Sequence, residues 1–432
     1  MTVAPQIRTS SRVGGRAIRR SLAFLLTGEG INYAGSSVHA VALPALAVLS
    51  LTADPGQVAL LAFAAKIPAL VVALPAGVVV DRYPLRTVLF STDLAAAAVV
   101  SVIPAAAVLD RLSMPLLYTI ASALGVLSAL HMAASMAVVP ALADPTHLHQ
   151  ANARFTAVIT VAGTTGTTLG TLLLATIGAA RAFAADALSY LVSAWCATRI
   201  RALRAPDRPQ TAQQPAIREI REGIAYSAAH PILRPLFLAL TVTGLGTGLS
   251  ATLLAYHLLT SVQVGATGLG VIMAAGSLGG LSGALTAPRL VRRYGTGRVI
   301  AWAWTAYALM QIPPLVARPG PVWLAVLVVS GYAQWAAATC VGTTQRSVQQ
   351  QTAVPELRAR VQQTSLWLTT GTQPLTALAA GALATLTSVR TVMAAGVTVL
   401  MLSAWMLWRS PVRRLTSMDG DARVTQVPGA AA

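Results

Sequence analysis

The sequence predicts an all-α integral membrane protein whose twelve transmembrane helices form two pseudo-symmetric six-helix bundles. Three observations lead to this fold class. Hydrophobic residues make up 55% of the 432 residues, and charged residues only 10%. The mean hydropathy of +0.66 is too high for a chain that buries its apolar residues in one soluble core. Apolar windows long enough to cross about 30 Å of hydrocarbon also recur along the whole chain.

The positive charge is distributed in a way that predicts the topology. The formal net charge is +18, and all the basic residues except Lys66 are arginines. They cluster in alternate loops, at 8–20, 82–86, 199–234, 289–298, 346–360 and 409–423. This alternation follows the positive-inside rule, so both termini are expected in the cytoplasm and the protein in the inner (plasma) membrane. The aromatic interleaving of a nucleic-acid surface is missing, and no nucleic-acid partner is expected.

The apolar windows divide the chain into five parts. A basic cytoplasmic N-terminus (1–20) precedes the first bundle (21–200), a cytoplasmic linker (201–233), the second bundle (234–409) and a tail (410–432) predicted to be disordered. The twelve predicted spans are 21–50, 56–80, 87–109, 114–142, 152–178, 182–200, 234–260, 266–288, 297–317, 321–348, 361–386 and 389–409.

The linker contains an amphipathic segment. Ile217, Ile220 and Ile224 recur at helical spacing, while arginines and glutamates occupy the opposite face. This pattern predicts a helix lying on the inner membrane surface. A simple linker helix with a solvated charged face explains the same pattern.

A short charged loop joins the second and third predicted spans. It reads Gly77-Val-Val-Val-Asp-Arg-Tyr-Pro-Leu-Arg-Thr-Val-Leu89. The loop resembles the signature motif of the major facilitator superfamily, matched at Gly77, Asp81, Arg82, Arg86 and Leu89. Pro84 and Leu85 stand where that motif has glycine and a basic residue.

Further segments resemble the enterobactin-exporter and macrolide-efflux branch of this superfamily. They are Gln57–Pro68, Pro140–Asn152, Arg221–Arg234 and Val354–Val361, and the resemblance covers about residues 20–410. It implies a secondary transporter that exports a small amphipathic molecule such as a drug, antibiotic, siderophore or secondary metabolite. It also implies proton antiport by alternating access, with the protein acting as a monomer in the lipid bilayer.

The resemblance gives the signature loop the role of a conformational latch. Asp81 would sit beside a helix N-terminus of the other bundle or pair with Arg82 or Arg86, favouring one transport state. Asp93, two turns further on, is grouped with this latch and is expected to pair with the loop arginines. Alternatively, these charges only fix the topology.

Ionisable residues inside the predicted spans are the candidates for proton coupling, because they are costly there unless functional or paired. They are Glu29, flanked by two glycines, His131 and Lys66, with His39 a further histidine of this kind. Lys66 is a candidate partner of Glu29 or of another buried carboxylate. The alternative is that each histidine is a hydrogen-bonded packing residue. Asp186 is expected to pair with Arg181.

By analogy with the superfamily, spans one, four, seven and ten line a substrate cavity. Its candidate residues are Asn32, Tyr33, Met132, Tyr256, His257, Tyr332, Gln334 and Trp335. A mostly apolar wall with a few polar anchors suits an amphipathic organic molecule.

Small residues in the fifth span predict close helix packing. Gly163, Gly166 and Gly170 are spaced as in an antiporter motif, although Thr167 replaces its kinking proline. In the eleventh span Pro374 predicts a kink.

No enzyme constellation, cofactor motif or metal-ligand cluster is present in the sequence. A phosphate-binding loop with Gly-Lys-Ser/Thr is missing, so an ion gradient is the expected energy source. Two other functions remain open: an importer of the same fold, and a membrane receptor or scaffold that does not transport.

Overall fold

The computed structural model describes residues 7–142, 148–200, 216–354 and 357–415. These residues form helices and connecting turns, with no strand among them. The predicted disordered tail lies outside the described residues from 416 onward, as do the first six residues and residues 201–215 of the predicted linker.

The first part of the chain contains six helices. They are α1 (Ile7–Leu51), α2 (Pro55–Arg82), α3 (Leu85–Val108), α4 (Met114–Leu142), α5 (Leu148–Ile177) and α6 (Ala179–Thr198). The first helix begins inside the basic segment predicted to precede the membrane. Arginine is a good helix former, and no proline interrupts the chain between Pro5 and Pro44.

Among its described residues, the second part contains nine helices and a final 3-10 turn, Pro411–Arg414. The helices are α7 (Ala216–Ala229), α8 (Leu233–Thr260), α9 (Gly265–Tyr294), α10 (Thr296–Leu309), α11 (Ile312–Val316), α12 (Pro321–Thr352), α13 (Arg358–Thr370), α14 (Gln373–Leu386) and α15 (Val389–Arg409). The ninth and eleventh predicted spans are therefore each a pair of shorter helices.

Proline explains both interruptions. Pro313 lies in the first turn of α11 and Pro374 in the first turn of α14. A proline has no backbone N–H to donate to the preceding turn and clashes with its carbonyl group, so a continuing helix is broken there.

The chain divides into two compact units. Unit 1 comprises Met1–Gln213 with Gly265–Gly270, and unit 2 comprises Gln214–Val264 with Val271–Ala432. Eight helices of the described residues are long and apolar enough to cross a membrane, and they occur in both parts of the chain. The protein is a multi-pass membrane protein, and the full count of twelve crossings stays a prediction.

In unit 1, α1 packs along both α5 and α6. The contact with α5 depends on two glycines. A Cβ atom added at Gly166 would lie 2.4 Å from the Ala34 carbonyl oxygen, and one at Gly170 would lie 2.6 Å from the Val38 Cα. Gly163, by contrast, has no atom within 4 Å of that position. Close approach of helix backbones through small residues is a common packing mode in membranes.

Unit 2 is organised around α8, which packs on α14 and α15. Gly246 and Gly396 face each other closely enough that a Cβ on either would lie 2.8 Å from the other's carbonyl oxygen. A neutral hydrogen-bond network crosses the same unit: the Trp304 Nε1–H donates to Thr243 Oγ1 at 2.9 Å and to Ser403 Oγ at 3.1 Å. Buried polar groups are thereby satisfied without charge.

The predicted amphipathic helix corresponds to α7, which packs against α13 within unit 2. Glu222 forms an ion pair with Arg360, and a Cβ on Gly223 would lie 2.4 Å from Thr364 Oγ1. At its C-terminal side the ring of His230 accepts hydrogen bonds at Nδ1 from the backbone N–H groups of Ile232 (3.2 Å) and Leu233 (3.5 Å). His230 therefore caps the start of α8.

Arginine side chains stack on aromatic rings near the ends of several predicted spans. The pairs are Arg20–Phe24, Arg199–Trp195, Arg293–Tyr294, Arg409–Trp405 and Arg413–Trp408. All of them lie at the ends that the arginine distribution assigns to the cytoplasm. Aromatic and basic side chains together are typical anchors at a membrane interface.

Substituting the glycines of the fifth span tests whether each is required for close helix packing or only lowers the intrinsic stability of the helix. We expect Gly166→Ala to destabilise the protein by about 1–3 kcal/mol, because the new methyl group overlaps the α1 backbone. Gly163→Ala is the matched control and should be neutral or stabilising by up to about 1 kcal/mol. Thermal unfolding of the purified proteins in detergent measures both, and equal melting temperatures would contradict the close packing.

The cap at His230 makes a pH-dependent prediction. Burial lowers the pKa of His230 below its ordinary value of 6.5, so the neutral ring is the form that accepts the two hydrogen bonds. Its contribution to stability is present above about pH 6.5 and is lost as the pH falls towards the lowered pKa, because the unfolded chain then binds the proton more readily.

Two variants test this cap. His230→Ala should cost about 1 kcal/mol at neutral pH, as loss of a cap does. His230→Asn retains an acceptor that does not titrate, so its melting temperature should fall less than that of the wild type between about pH 7.5 and pH 5.5. A wild type and an Asn variant with the same pH dependence would refute the assignment.

Candidate functional site

The buried face of α1 carries a carboxylate between two close helix contacts. A Cβ on Gly28 would lie 3.0 Å from Cys196 Cβ on α6, and one on Gly30 would lie 3.0 Å from Val158 Cγ1 on α5. The two glycines therefore allow α1 to approach both neighbouring helices. Glu29, between them, is only 2% exposed.

His131 on α4 contacts two carboxylates at once. Its Nε2 atom lies 3.0 Å from Glu29 Oε1, and its Nδ1 atom lies 3.0 Å from Asp93 Oδ1 on α3. Nδ1 also lies 3.3 Å from the Thr92 hydroxyl, which donates its own proton to the Val88 carbonyl group. The three ionisable side chains are all buried and are called the Glu29–His131–Asp93 cluster below.

Asp93 has partners other than those predicted from the sequence. The sequence predicts pairing with the loop arginines, but Asp93 Oδ1 accepts a hydrogen bond from Asn32 Nδ2 at 2.8 Å and contacts His131. Arg86 lies two turns earlier on α3, about 10 Å along the helix axis. Asn32 and His131 approach the carboxylate directly from neighbouring helices.

The geometry of this cluster limits its protonation states. A neutral imidazole has one N–H donor, whereas two hydrogen bonds to ionised carboxylates require two. Either His131 is an imidazolium, which leaves the cluster with one net negative charge, or one carboxyl group carries the proton. Glu29 Oε2 and Asp93 Oδ2 are buried and have no hydrogen-bond partner among the described residues. Each is an acceptor at which a further proton can bind.

A cavity of about 120 Å³ lies beside the cluster within unit 1. The Tyr33 hydroxyl group points across it to Met132 Sδ at 3.9 Å. All the first-half candidates for the substrate cavity meet here, together with two members of the cluster. The lining residues are Asn32, Tyr33, Ser36, Thr92, Asp93, Ala96, Leu127, Ser128, His131, Met132 and Tyr190.

The second-half candidates lie in unit 2. His257 is fully buried, and its Nε2–H donates to the Pro314 carbonyl oxygen at 3.1 Å. Tyr332 and Trp335 on α12 are about half exposed, and Gly276 of α9 packs against the Trp335 ring. The remaining two candidates, Tyr256 and Gln334, are half-buried on α8 and α12.

Only Tyr83 and Pro84 separate α2 from α3, so the signature loop is a tight turn. Arg82 is exposed and Arg86 is half-buried, whereas the side chain of Asp81 lies outside the described part of the chain. The latch function of Gly77, Asp81, Arg82 and Arg86 stays a prediction.

Two pairings of ionisable residues differ from the sequence expectations. Glu29 contacts His131 rather than Lys66, which lies midway along α2. Asp186, expected to pair with Arg181, contacts His39 on α1 at 3.1 Å. The sequence contains a signal for this second pair, since both residues fall within predicted spans and carry opposite formal charge when the histidine is protonated.

Comparison with known proteins identifies the family. Residues 20–430 match the family described as "Transmembrane secretion effector". The chain belongs to this family of major facilitator superfamily transporters.

Known transporters are similar to this chain in sequence or in fold. The multidrug efflux pump Tap of Mycolicibacterium fortuitum is 28% identical over 365 residues, which cover 81% of this chain and 86% of that protein. The nucleoside transporter NupG superposes with a TM-score of 0.71 at 13% identity, covering 90% of this chain and 98% of that chain. A bacterial homologue of the iron transporter ferroportin, in its inward-facing state, gives a TM-score of 0.68 at 16% identity, covering 90% and 98%. The predicted superfamily is confirmed, and it is a family of transporters rather than enzymes.

The cluster makes a prediction about stability. Because His131→Ala leaves two buried carboxylates without their common partner, we expect it to destabilise the transporter by about 3–5 kcal/mol. Glu29→Gln in the same chain should recover part of this loss, since it removes one of the two uncompensated charges.

Thermal unfolding of the wild type, both single variants and the double variant in detergent forms a double-mutant cycle. A coupling of more than about 0.5 kcal/mol between the two sites is expected for residues in contact. Strict additivity would show that the two side chains do not interact.

Proposed function

We propose that this major facilitator superfamily protein exports a small amphipathic organic molecule in exchange for protons. The observation that supports the proposal is His131 held between the buried carboxylates Glu29 and Asp93. Uptake of one proton changes the net charge of the cluster from negative to neutral. A change in buried charge is costly inside a membrane, so the protonation state biases which conformation is stable.

The distribution of acidic residues supports a proton site in the first half of the chain. Three of the carboxylates that the structure describes there are buried: Glu29, Asp93 and Asp186. Between residues 223 and 417 the sequence has a single acidic residue, Glu356. The helices from α8 to α12 therefore contain no acidic group, and they offer apolar and neutral polar contacts.

The cavity beside the cluster supports an amphipathic substrate. Its lining combines the apolar side chains of Ala96, Leu127 and Met132 with polar ones such as Asn32 and Tyr33. Such walls fix orientation by their polar groups and gain affinity from apolar contact. The similarity to the multidrug efflux pump Tap favours a drug, antibiotic or related metabolite as the cargo and export as the direction.

Antiport follows if substrate and proton compete for one carboxylate. Asp93 both lines the cavity and contacts His131. A donor or cationic group of the substrate bound to Asp93 favours its ionised form, whereas a proton on Asp93 removes that attraction. The two ligands then bind alternately, as exchange requires.

The remaining parts of the proposal concern the transport cycle. The signature-loop residues Asp81, Arg82 and Arg86 would stabilise one of the two alternating-access states. Tyr256, His257, Tyr332, Gln334 and Trp335 would contribute the second half's share of the substrate site. The protein would act as a monomer in the plasma membrane with both termini in the cytoplasm, as the arginine distribution indicates.

Inverted membrane vesicles test the proposal. An acidic interior is generated by respiration, and a macrolide, a siderophore and the lipophilic cation ethidium are added in turn. Wild type should discharge the pH gradient with at least one compound class. Glu29→Gln should lose this discharge by about a hundredfold, the lower range for a group that transfers protons. Asp81→Asn should slow it while leaving its dependence on the gradient intact.

Thr176→Val is the matched control, because the Thr176 hydroxyl group bonds only to carbonyl groups of its own helix, at Leu172 and Leu173. Discharge that persists in Glu29→Gln would reject the proton site. Substrate accumulation only in the opposite vesicle orientation would indicate an importer. Binding of a compound without any discharge or accumulation would indicate a receptor.

A further inference from the structure

A second acid–base pair, with a buried carboxylate and a part-buried histidine, lies on the same face of α1 as the cluster. Asp186 on α6 is fully buried, and its Oδ2 atom lies 3.1 Å from His39 Nδ1. The Ser189 hydroxyl group lies 3.4 Å from the other carboxylate oxygen, Oδ1. The His39 side chain is 23% exposed, compared with 10% for His131. His39 is therefore the more accessible histidine of the two.

Gly35 allows this pair to form. A Cβ atom added at Gly35 would lie 1.8 Å from Ser189 Oγ and 2.7 Å from Asp186 Oδ1. Any other residue at this position would push α6 away from α1. The carboxylate thus sits directly against the α1 backbone, where lipid and bulk water are excluded.

Polar side chains connect the two pairs along α1. Glu29, Asn32, Ser36 and His39 are spaced by three or four residues and share one helix face. Ser36 Oγ lies 3.3 Å from Asn32 Oδ1 and 3.4 Å from the hydroxyl group of Tyr190, which is one turn beyond Asp186 on α6. The face spans about 15 Å of helix axis from Glu29 to His39.

The cavity of about 120 Å³ lies between the cluster and this second pair along part of that interval. Its lining includes Asp93 and His131 of the cluster as well as Ser36 and Tyr190, but neither His39 nor Asp186. At about 30 Å³ for each water molecule in the liquid, this volume admits about four waters, with polar groups to bind them. Hydrogen-bonded waters in this cavity can carry a proton from Ser36 and Tyr190 to Asp93 and His131, and Tyr190 lies one turn from Asp186 on α6.

We propose that His39 and Asp186 form a proton-binding site that delivers protons through this cavity to the Glu29–His131–Asp93 cluster. The inference rests on the proposed proton coupling and adds the route. His39 takes a proton from solvent and passes it to Asp186. Asp186 releases it through Tyr190 and the cavity, and Asp93 or Glu29 accepts it. The predicted topology places His39 nearer the outer face than Glu29.

The other charged or titratable groups of the elements packed around this pair are few. Helix α5 has none between Phe155 and Ile177. Within the predicted spans, apart from arginines at their ends, the remaining ones are Glu29 and Tyr33 on α1, Lys66 on α2, Asp93 on α3, Tyr118 and His131 on α4, and Tyr190 and Cys196 on α6, with Arg181 at the start of α6. Asp186 is thus the acidic group that faces His39 at hydrogen-bonding distance.

Infrared spectroscopy of the reconstituted full-length protein tests the site without any substrate. A pH change alters the carbonyl stretching bands of carboxyl groups that gain or lose protons. We expect Asp186→Asn to remove one buried-carboxyl band from the wild-type difference spectrum. Glu29→Gln and Asp93→Asn should remove different bands. Thr176→Val should leave the spectrum unchanged.

The delivery role is tested by the rate of the response after a rapid pH jump. His39→Asn keeps an amide donor for Asp186 but cannot carry a proton, whereas His39→Ala loses both. Delivery through His39 predicts that both variants slow the Glu29 and Asp93 bands roughly tenfold or more. A purely structural role predicts that His39→Asn behaves as wild type and only His39→Ala is impaired.

The outcomes separate the two proposals. An unchanged spectrum in Asp186→Asn, or an unchanged rate in His39→Asn, overturns this inference and leaves the Glu29–His131–Asp93 site standing. If Asp186→Asn removes a band from the wild-type difference spectrum but Glu29→Gln and Asp93→Asn remove none, the proposed function is overturned. The delivery role is then overturned as well. Circular dichroism and gel filtration of each variant verify that it is folded.

Discussion

The contact of one histidine with two carboxylates constrains the whole first unit. His131 is on α4, Glu29 on α1 and Asp93 on α3, so the three helices must hold their side chains within hydrogen-bonding distance to avoid an unpaired buried charge. Removing one partner of such a group costs far more than the group contributes as a whole. The glycines on α1 serve this contact, because they bring α1 close enough to α5 and α6 to exclude water from the carboxylate. The close helix packing and the buried charge contacts therefore depend on each other.

The two units satisfy their buried polar groups by different chemistry. Unit 1 uses ionisable pairs, whereas unit 2 uses neutral hydrogen bonds such as those from Trp304 to Thr243 and Ser403, and between Thr247 and Tyr307 at 2.9 Å. A neutral network holds its geometry over a wide pH range, because none of its members changes charge. Under the proposed antiport, the Glu29–His131–Asp93 cluster in unit 1 takes up the transported proton, whereas the Trp304 network in unit 2 keeps its charge.

The sequence predicts the helical segments, the superfamily and two members of the cluster, because these depend on local signals. Apolar length indicates a membrane helix, and a charge inside it, as at Glu29 and His131, indicates function. The predicted partners of Asp93 and Asp186 are wrong. Each prediction takes arginines that are close along the sequence, whereas the actual partner is on whichever neighbouring helix approaches the carboxylate. Breaks at Pro313 and Pro374 divide two predicted spans; the proline at 374 predicts a kink, whereas a hydropathy window alone does not locate the point at which either helix ends. Which side chains pair across helices depends on how each helix is rotated about its axis and how deep it lies in the membrane. A single sequence does not reveal either of these.

Helix α1 carries one member of each acid–base pair, Glu29 for the cluster and His39 for the pair with Asp186. Its partners lie on different helices, α4 and α6. A displacement of α1 relative to α6 would therefore lengthen the His39–Asp186 contact, and a displacement relative to α4 would lengthen the Glu29–His131 contact. Either change leaves a charge unpaired, and protonation of the carboxylate relieves that cost. In the proposed antiport, this dependence would couple proton binding to the position of α1, and a single helix would transmit the protonation event to the transport cycle.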